Sequence, residues 1–231
     1  QQAAYNRLGF SVKKTMQIAQ NLYEGIPLGG DNSPVALITY MRTDSLRLSE
    51  TALKGARSFI EKQFGSTYLP PKSIVYGKKS KEASQDAHEA VRPVEMAVSP
   101  SRVKEYATKD QFRLYELIWQ RTVASQMKSA EYAQRQIVIK DEKKYTFKVT
   151  GSTLLFDGFL KVYGIDEEED GKEKTVKIPQ GVEKNDLTDL NKIDPKQHFT
   201  QPPPRYSEAS LVKKIKDEGI GRPSTYGSIL N

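Results

Sequence analysis

No cysteine occurs among the 231 residues. That excludes a disulfide framework and a thiolate zinc site, and with them the main argument for a secreted, cross-linked fold. The sequence has no run of about 18 apolar residues and no signal-peptide pattern, so nothing in it reads as membrane-spanning or exported. A cytosolic, monomeric protein is the expectation. Internal repeats and long low-complexity segments are also missing. The run Asp166–Asp170 is the one dense acidic stretch. Five consecutive acids do not converge on one ion in any regular structure, so the run reads as a charged surface loop rather than a metal site.

What is present is a basic balance: 36 Lys and Arg against 29 Asp and Glu, a net charge of +7. Such a chain favours anionic partners, nucleic acid before membrane, because no amphipathic basic helix dominates. The alternative is a soluble surface that is merely rich in lysine. The length suits one large domain or two small ones, and 37% hydrophobic residues suffice to build cores.

The spacing of Leu8, Val12, Met16, Ala19 and Tyr23 predicts a helix with Ser11 as cap and Gly25 as stop. The run "VALITYMR" (35–42) reads as a buried strand. Ser49 caps a further helix bearing Leu53, Ala56, Ile60 and Phe64, with Leu48 and Leu53 placed as a hydrophobic staple. The loop "GKKSKEASQ" leads to "DAHEAVRP". Thr108 and Gln111 have capping-box spacing before a long helix with Phe112, Tyr115, Trp119 and Val123 on one stripe. After about residue 130 the period becomes two: "QIVIK", a turn at "KDEKK", then alternation through Tyr145, Phe147 and Val149. "LLFDGFLKVYG" continues in strand style. Beyond the Pro-rich joint "TQPPPRYSEAS", Ser207 caps a helix closed by Gly219, and "RPSTYGSIL" starts another. Helix, short glycine-containing turn, helix is a helix-turn-helix outline.

Three segments could carry chemistry. In a strand, Tyr40 and Arg42 share a face, with Thr39 and Met41 on the other. A phenol of pKa about 10 is a poor nucleophile at neutral pH. A neighbouring guanidinium favours the phenolate and can clamp a phosphate by two hydrogen bonds. Tyr40 is either that nucleophile or an amphipathic ring half in a core. His88 can serve a leaving oxygen or a scissile phosphate, or it is a surface histidine beside Glu89 and Arg92 on a solvated face. In "GIGRPSTYGSIL", Pro223 suits a first helical turn. Ser224 and Thr225 would then lie where free N–H groups accept a phosphate, with Arg222 adding charge; simple N-capping is the alternative.

Taken in order, "ITYMRTDS", "QDAHEAVRP" and "PPRYSEASLVKKIKDEGIGRPSTYGSI" resemble the signatures of type IA DNA topoisomerases, most closely the bacterial topoisomerase I branch. "QQAAYNRLGFSVKKTMQIAQNLYEG" is similar to the segment that precedes the family's nucleophile. The resemblance covers nearly the whole chain and is weakest over 130–195. It implies that Tyr40 attacks a phosphodiester of single-stranded DNA and keeps the 5′ phosphate covalently. Another strand then passes, the break reseals, and negatively supercoiled DNA relaxes. It further implies that Arg42 holds the scissile phosphate, that His88 is an active-site histidine, and that Arg222, Ser224 and Thr225 contact the DNA backbone.

The family's acidic Mg²⁺-binding domain, its cleavage-assisting lysine and its C-terminal domains have no counterpart here. The chain therefore reads as an interior piece: no metal ligand of its own, a missing N-terminal domain as partner, and a nucleoid-associated place in the cell. The implied fold is mixed α+β. A mainly helical nucleophile-bearing domain spans 1–128, a strand-rich arch segment 129–199, and the start of a helical DNA-binding base 200–231. Within the family, topoisomerase III and reverse gyrase are the alternatives; outside it, a non-catalytic DNA-binding module is.

Overall fold

The computed structural model describes residues 1–29, 33–76, 88–143, 145–164, 178 and 181–230. The acidic run, all of "GKKSKEASQ" and the first two residues of "DAHEAVRP" lie outside them. The described chain is mixed α and β and divides into two units. The first comprises Gln1–Ala130, Asp157–Asp166 and Tyr206–Asn231, the second Glu131–Phe156 and Glu167–Arg205.

The first unit is helical. α1 (Gln2–Leu8) ends at Gly9, in the left-handed region at φ 68°. α2 (Val12–Glu24) starts at Ser11, whose side chain accepts from the Lys14 amide, and stops at Gly25. Its buried face is Val12, Thr15, Ile18, Ala19 and Leu22. That face is rotated from the expected stripe: Met16 is only half-buried and Tyr23 is exposed. Thr15, a polar residue outside the expected stripe, can go inside because its hydroxyl donates to the Ser11 carbonyl at 2.8 Å.

A two-residue pair, β1 (Ile26–Pro27) with β2 (Pro34–Val35), precedes α3 (Glu50–Phe64), which Ser49 caps and Gly65 ends. α3 turns Ala56 and Ile60 inward. After a short 3₁₀ turn (Ser66–Tyr68), α4 (Pro100–Lys104) and α5 (Lys109–Ser125) follow. The expected capping box of Thr108 and Gln111 is formed, and Tyr115, Trp119 and Val123 are buried on α5. α5 is the central helix: α1, α2, α3, α4 and α6 (Leu160–Tyr163) pack on it. Its Tyr115 hydroxyl donates to Val98 O at 2.7 Å, and Trp119 Nε1 donates to Met96 O at 3.2 Å. The helix thus fixes the irregular 96–98 segment while burying its aromatic bodies. Residues 160–163 were expected in strand style and are helical instead, because Gly158 at φ 50° reverses the chain against the Lys128 and Ser129 backbone.

α7 (Glu208–Asp217) packs on α1, and α8 (Tyr226–Ile229) on α2. Val12, Val212, Ile215 and Tyr226 form their shared apolar cluster. Glu208 accepts from the Val12 amide at 2.8 Å, so an acid of α7 satisfies an open donor at the start of α2.

In the second unit, β3 (Glu131–Lys140) and β4 (Thr146–Phe156) form an antiparallel ribbon in the register Ile137↔Val149, Ile139↔Phe147. That pairing puts four apolar residues on one face, as period-two alternation dictates.

Candidate active site

The segment leading to Tyr40 is built by exchange with residues 90–94. The Val94 amide donates to Leu37 O at 3.0 Å and the Thr39 amide to Arg92 O at 2.9 Å. The expected strand over 35–42 does not form. Beyond the two-residue β2, only a bridge of Ile38 with Pro93 remains. Proline opposite Ile38 has no N–H to extend a ladder. The Thr39 hydroxyl takes over instead, donating to Ala90 O at 2.8 Å and accepting from the Arg92 amide at 3.0 Å. Leu37, Ile38 and Met41 are buried. Tyr40 and Arg42, on either side of buried Met41, are exposed, Tyr40 by 43%. The alternation expected around Tyr40 survives although the strand does not. The ring of Tyr40 meets that of Tyr23 edge-on, centroids 5.3 Å apart.

His88 is exposed, and the residues after it are clamped. Glu89 accepts from the Ser49 amide at 2.6 Å and holds Arg92 by two hydrogen bonds, both 2.9 Å. Burial alone would raise the Glu89 carboxyl, but the Arg92 guanidinium and the Ser49 amide outweigh it and lower its pKa to about 2. Arg92 also donates to Pro93 O and Val94 O. The Glu89–Arg92 pair is therefore a half-buried clip rather than the solvated face weighed above. Through it, the segment that follows His88 is tied to the N-terminus of α3. A further bond, from the Ala90 amide to Arg47 O at 2.8 Å, closes the other side.

The third segment reaches the first through charge. Arg222 Nη1 lies 3.0 Å from Asp44 Oδ2 across a gap of 178 residues in sequence. The helix expected to open at Pro223 opens later, at Tyr226. Residues 223–225 form a turn in which the Thr225 hydroxyl accepts from the Arg222 amide at 2.9 Å and donates to Arg222 O. Gly221 makes the turn possible: a Cβ there would stand 2.6 Å from Ile229 Cδ1 and 2.9 Å from Thr225 Oγ1. Ser224 and Thr225 are exposed, but at the mouth of a four-residue helix rather than inside a first turn.

All six predicted residues thus belong to one unit, on segments joined by direct hydrogen bonds. Sequence reading missed Thr39, Asp44 and Tyr23. Asp44 stands within "ITYMRTDS", but only the folded chain puts Arg222 beside it. Among the described residues no group of three or more His, Cys, Asp or Glu side chains could hold a metal ion. Two acids on the segments around Tyr40 are already committed, Asp44 to Arg222 and Glu89 to Arg92 and Ser49. The described residues do not fit a Mg²⁺ site.

A family model described as DNA topoisomerase matches residues 1–231. DNA topoisomerase 1 of Rickettsia felis is 48% identical over 235 residues, covering 100% of this chain and 29% of that protein. The Xylella fastidiosa Temecula1 enzyme of the same name is also 48% identical, with 100% and 28% covered. That of Helicobacter pylori is 45% identical, with 100% and 30% covered. The crystal structure of full-length topoisomerase I from Thermotoga maritima superposes with a TM-score of 0.78 at 39% identity, over 100% of this chain and 35% of that one. The chain thus spans about three-tenths of the length of the curated relatives it matches.

Proposed function

Because this chain belongs to the bacterial type IA DNA topoisomerase family, we propose that it carries the nucleophile half of a strand-passing site, with Tyr40 as the nucleophile. The phenol oxygen of Tyr40 bonds to phosphorus, the bond from phosphorus to the 3′ oxygen breaks, and the phenolic proton ends on the 3′ hydroxyl. One phosphodiester replaces another, so religation is the same step reversed and needs no external energy source. In this reading Arg42 holds the scissile phosphate and offsets the negative charge that builds on its oxygens. His88 exchanges a proton with the leaving or returning 3′ oxygen, and Arg222, Ser224 and Thr225 hold the DNA backbone. Residues 1–128 would carry the nucleophile, 129–199 a strand-rich arch segment, and 200–231 the start of a DNA-binding base. Any Mg²⁺ would be held by residues outside this chain, and no step here runs through it. Single-stranded or negatively supercoiled DNA is the partner, and relaxation the whole protein's activity.

One observation carries this reading. The Thr39 hydroxyl and the Arg222–Asp44 pair join the segments of Tyr40, His88 and Arg222, with Tyr40 and Arg42 left exposed between them. The test is Tyr40→Phe in the full-length protein. The covalent adduct with a labelled single-stranded oligonucleotide should vanish, while affinity for the oligonucleotide stays within about twofold, since phosphate contacts dominate binding. An adduct formed by the Phe variant would remove Tyr40 from the role.

A further inference from the structure

Tyr23 lies in the last turn of α2, outside that helix's buried face, with its ring set edge-on to Tyr40 at an interplanar angle of 70°. Both rings are substantially exposed, by 37% and 43%, so the pairing is not forced by core packing. Backbone ties fix where Tyr23 stands. The Leu37 amide donates to Leu22 O at 2.8 Å, and Ile26 pairs with Val35. Gly25, at φ 104°, lets the Val35 carbonyl carbon come within 2.9 Å of where a Cβ would be. These ties fall within three residues of Tyr23 and five of Tyr40. The end of α2 is therefore a rigid fence beside the nucleophile.

An exposed tyrosine ring without such a neighbour would distribute among its staggered rotamers. Attack at phosphorus in line with the departing 3′ oxygen requires one of them. We propose that Tyr23 is a positioning residue for Tyr40: its ring selects the rotamer from which the phenol oxygen meets the scissile phosphate. The inference rests on the assignment of Tyr40 as nucleophile. It assigns the effect to the ring of Tyr23 and not to its hydroxyl, because the contact is ring against ring.

The test uses the full-length protein and a labelled single-stranded oligonucleotide, reading the single-turnover rate of covalent adduct formation and, separately, oligonucleotide affinity. Tyr23→Ala should slow adduct formation by about threefold to tenfold, the range an edge-to-face ring pair supports, with affinity changed by less than about twofold. Tyr23→Phe, which keeps the ring, should restore the rate. A Phe variant as slow as the Ala variant would move the role to the hydroxyl and overturn the proposal. So would an affinity that falls in step with the rate, which would make Tyr23 a DNA-stacking ring, or an Ala variant at the unmutated rate. Tyr40→Phe measured alongside separates the two ideas: adduct from that variant defeats the nucleophile assignment, whereas the Tyr23 outcomes bear on positioning alone.

Discussion

Glu89 concentrates more interactions than any other acid near the site, and its titration has a defined sign. Its carboxyl is held at about 2 in the folded chain against 4.5 for a free one. A depressed carboxyl adds stability that is fully present above pH 4.5 and is lost as pH falls towards 2. About a fifth of the side chain faces water, and the resulting screening brings the contribution to about 2 kcal/mol, below what the full shift implies. Replacing Glu89 by Gln should therefore flatten the acid limb of the stability curve between pH 4.5 and 2. At neutral pH it should cost about 2 kcal/mol, measured by urea unfolding across that range. Arg222–Asp44 is a different kind of pair. Its side chains are 68% and 52% exposed, so it adds little to stability. What it does is place the Arg222 turn beside the segment of Tyr40.

Among elements, α2 sets the position of the Tyr40 segment, and Gly25 is where that setting is most sensitive. At φ 104° an L side chain is strained, and its Cβ would meet the Val35 backbone at 2.9–3.0 Å, which no rotamer relieves. Gly25→Ala should destabilise the chain by about 2 kcal/mol or more, read as a lowered thermal midpoint. The local signals for such elements were legible in advance. Ser11, Ser49, Thr108 and Ser207 each cap the helix they were expected to cap, because a cap is satisfied by atoms within three residues. The strand over 35–42 and the helix at Pro223 were not legible. The first fails because Pro93, from a distant part of the chain, faces Ile38. The second is displaced because the Thr225 hydroxyl bonds the Arg222 backbone in a tight turn.

For the molecule as a whole, the candidate site offers Tyr40, Arg42 and His88, while Asp44 and Glu89 beside them are already paired. The isolated 231-residue chain should accordingly bind single-stranded DNA at best weakly and leave negatively supercoiled plasmid unrelaxed in Mg²⁺, scored by gel mobility. Relaxation by the chain alone would place the whole reaction within these residues. The sequence by itself determined which residues were candidates to react, where the helices capped by Ser11, Ser49, Thr108 and Ser207 begin, and the family, since these depend on residue type and short spacing. Only the tertiary structure decided that Thr39 holds the His88 segment, that Asp44 meets Arg222, and that Tyr23 stands against Tyr40. Two of those contacts join residues tens to hundreds of positions apart. The third depends on which face of α2 turns inward: the expected stripe ran through Met16 and Tyr23, whereas the core closed around Thr15, Ile18 and Leu22 and left Tyr23 outside.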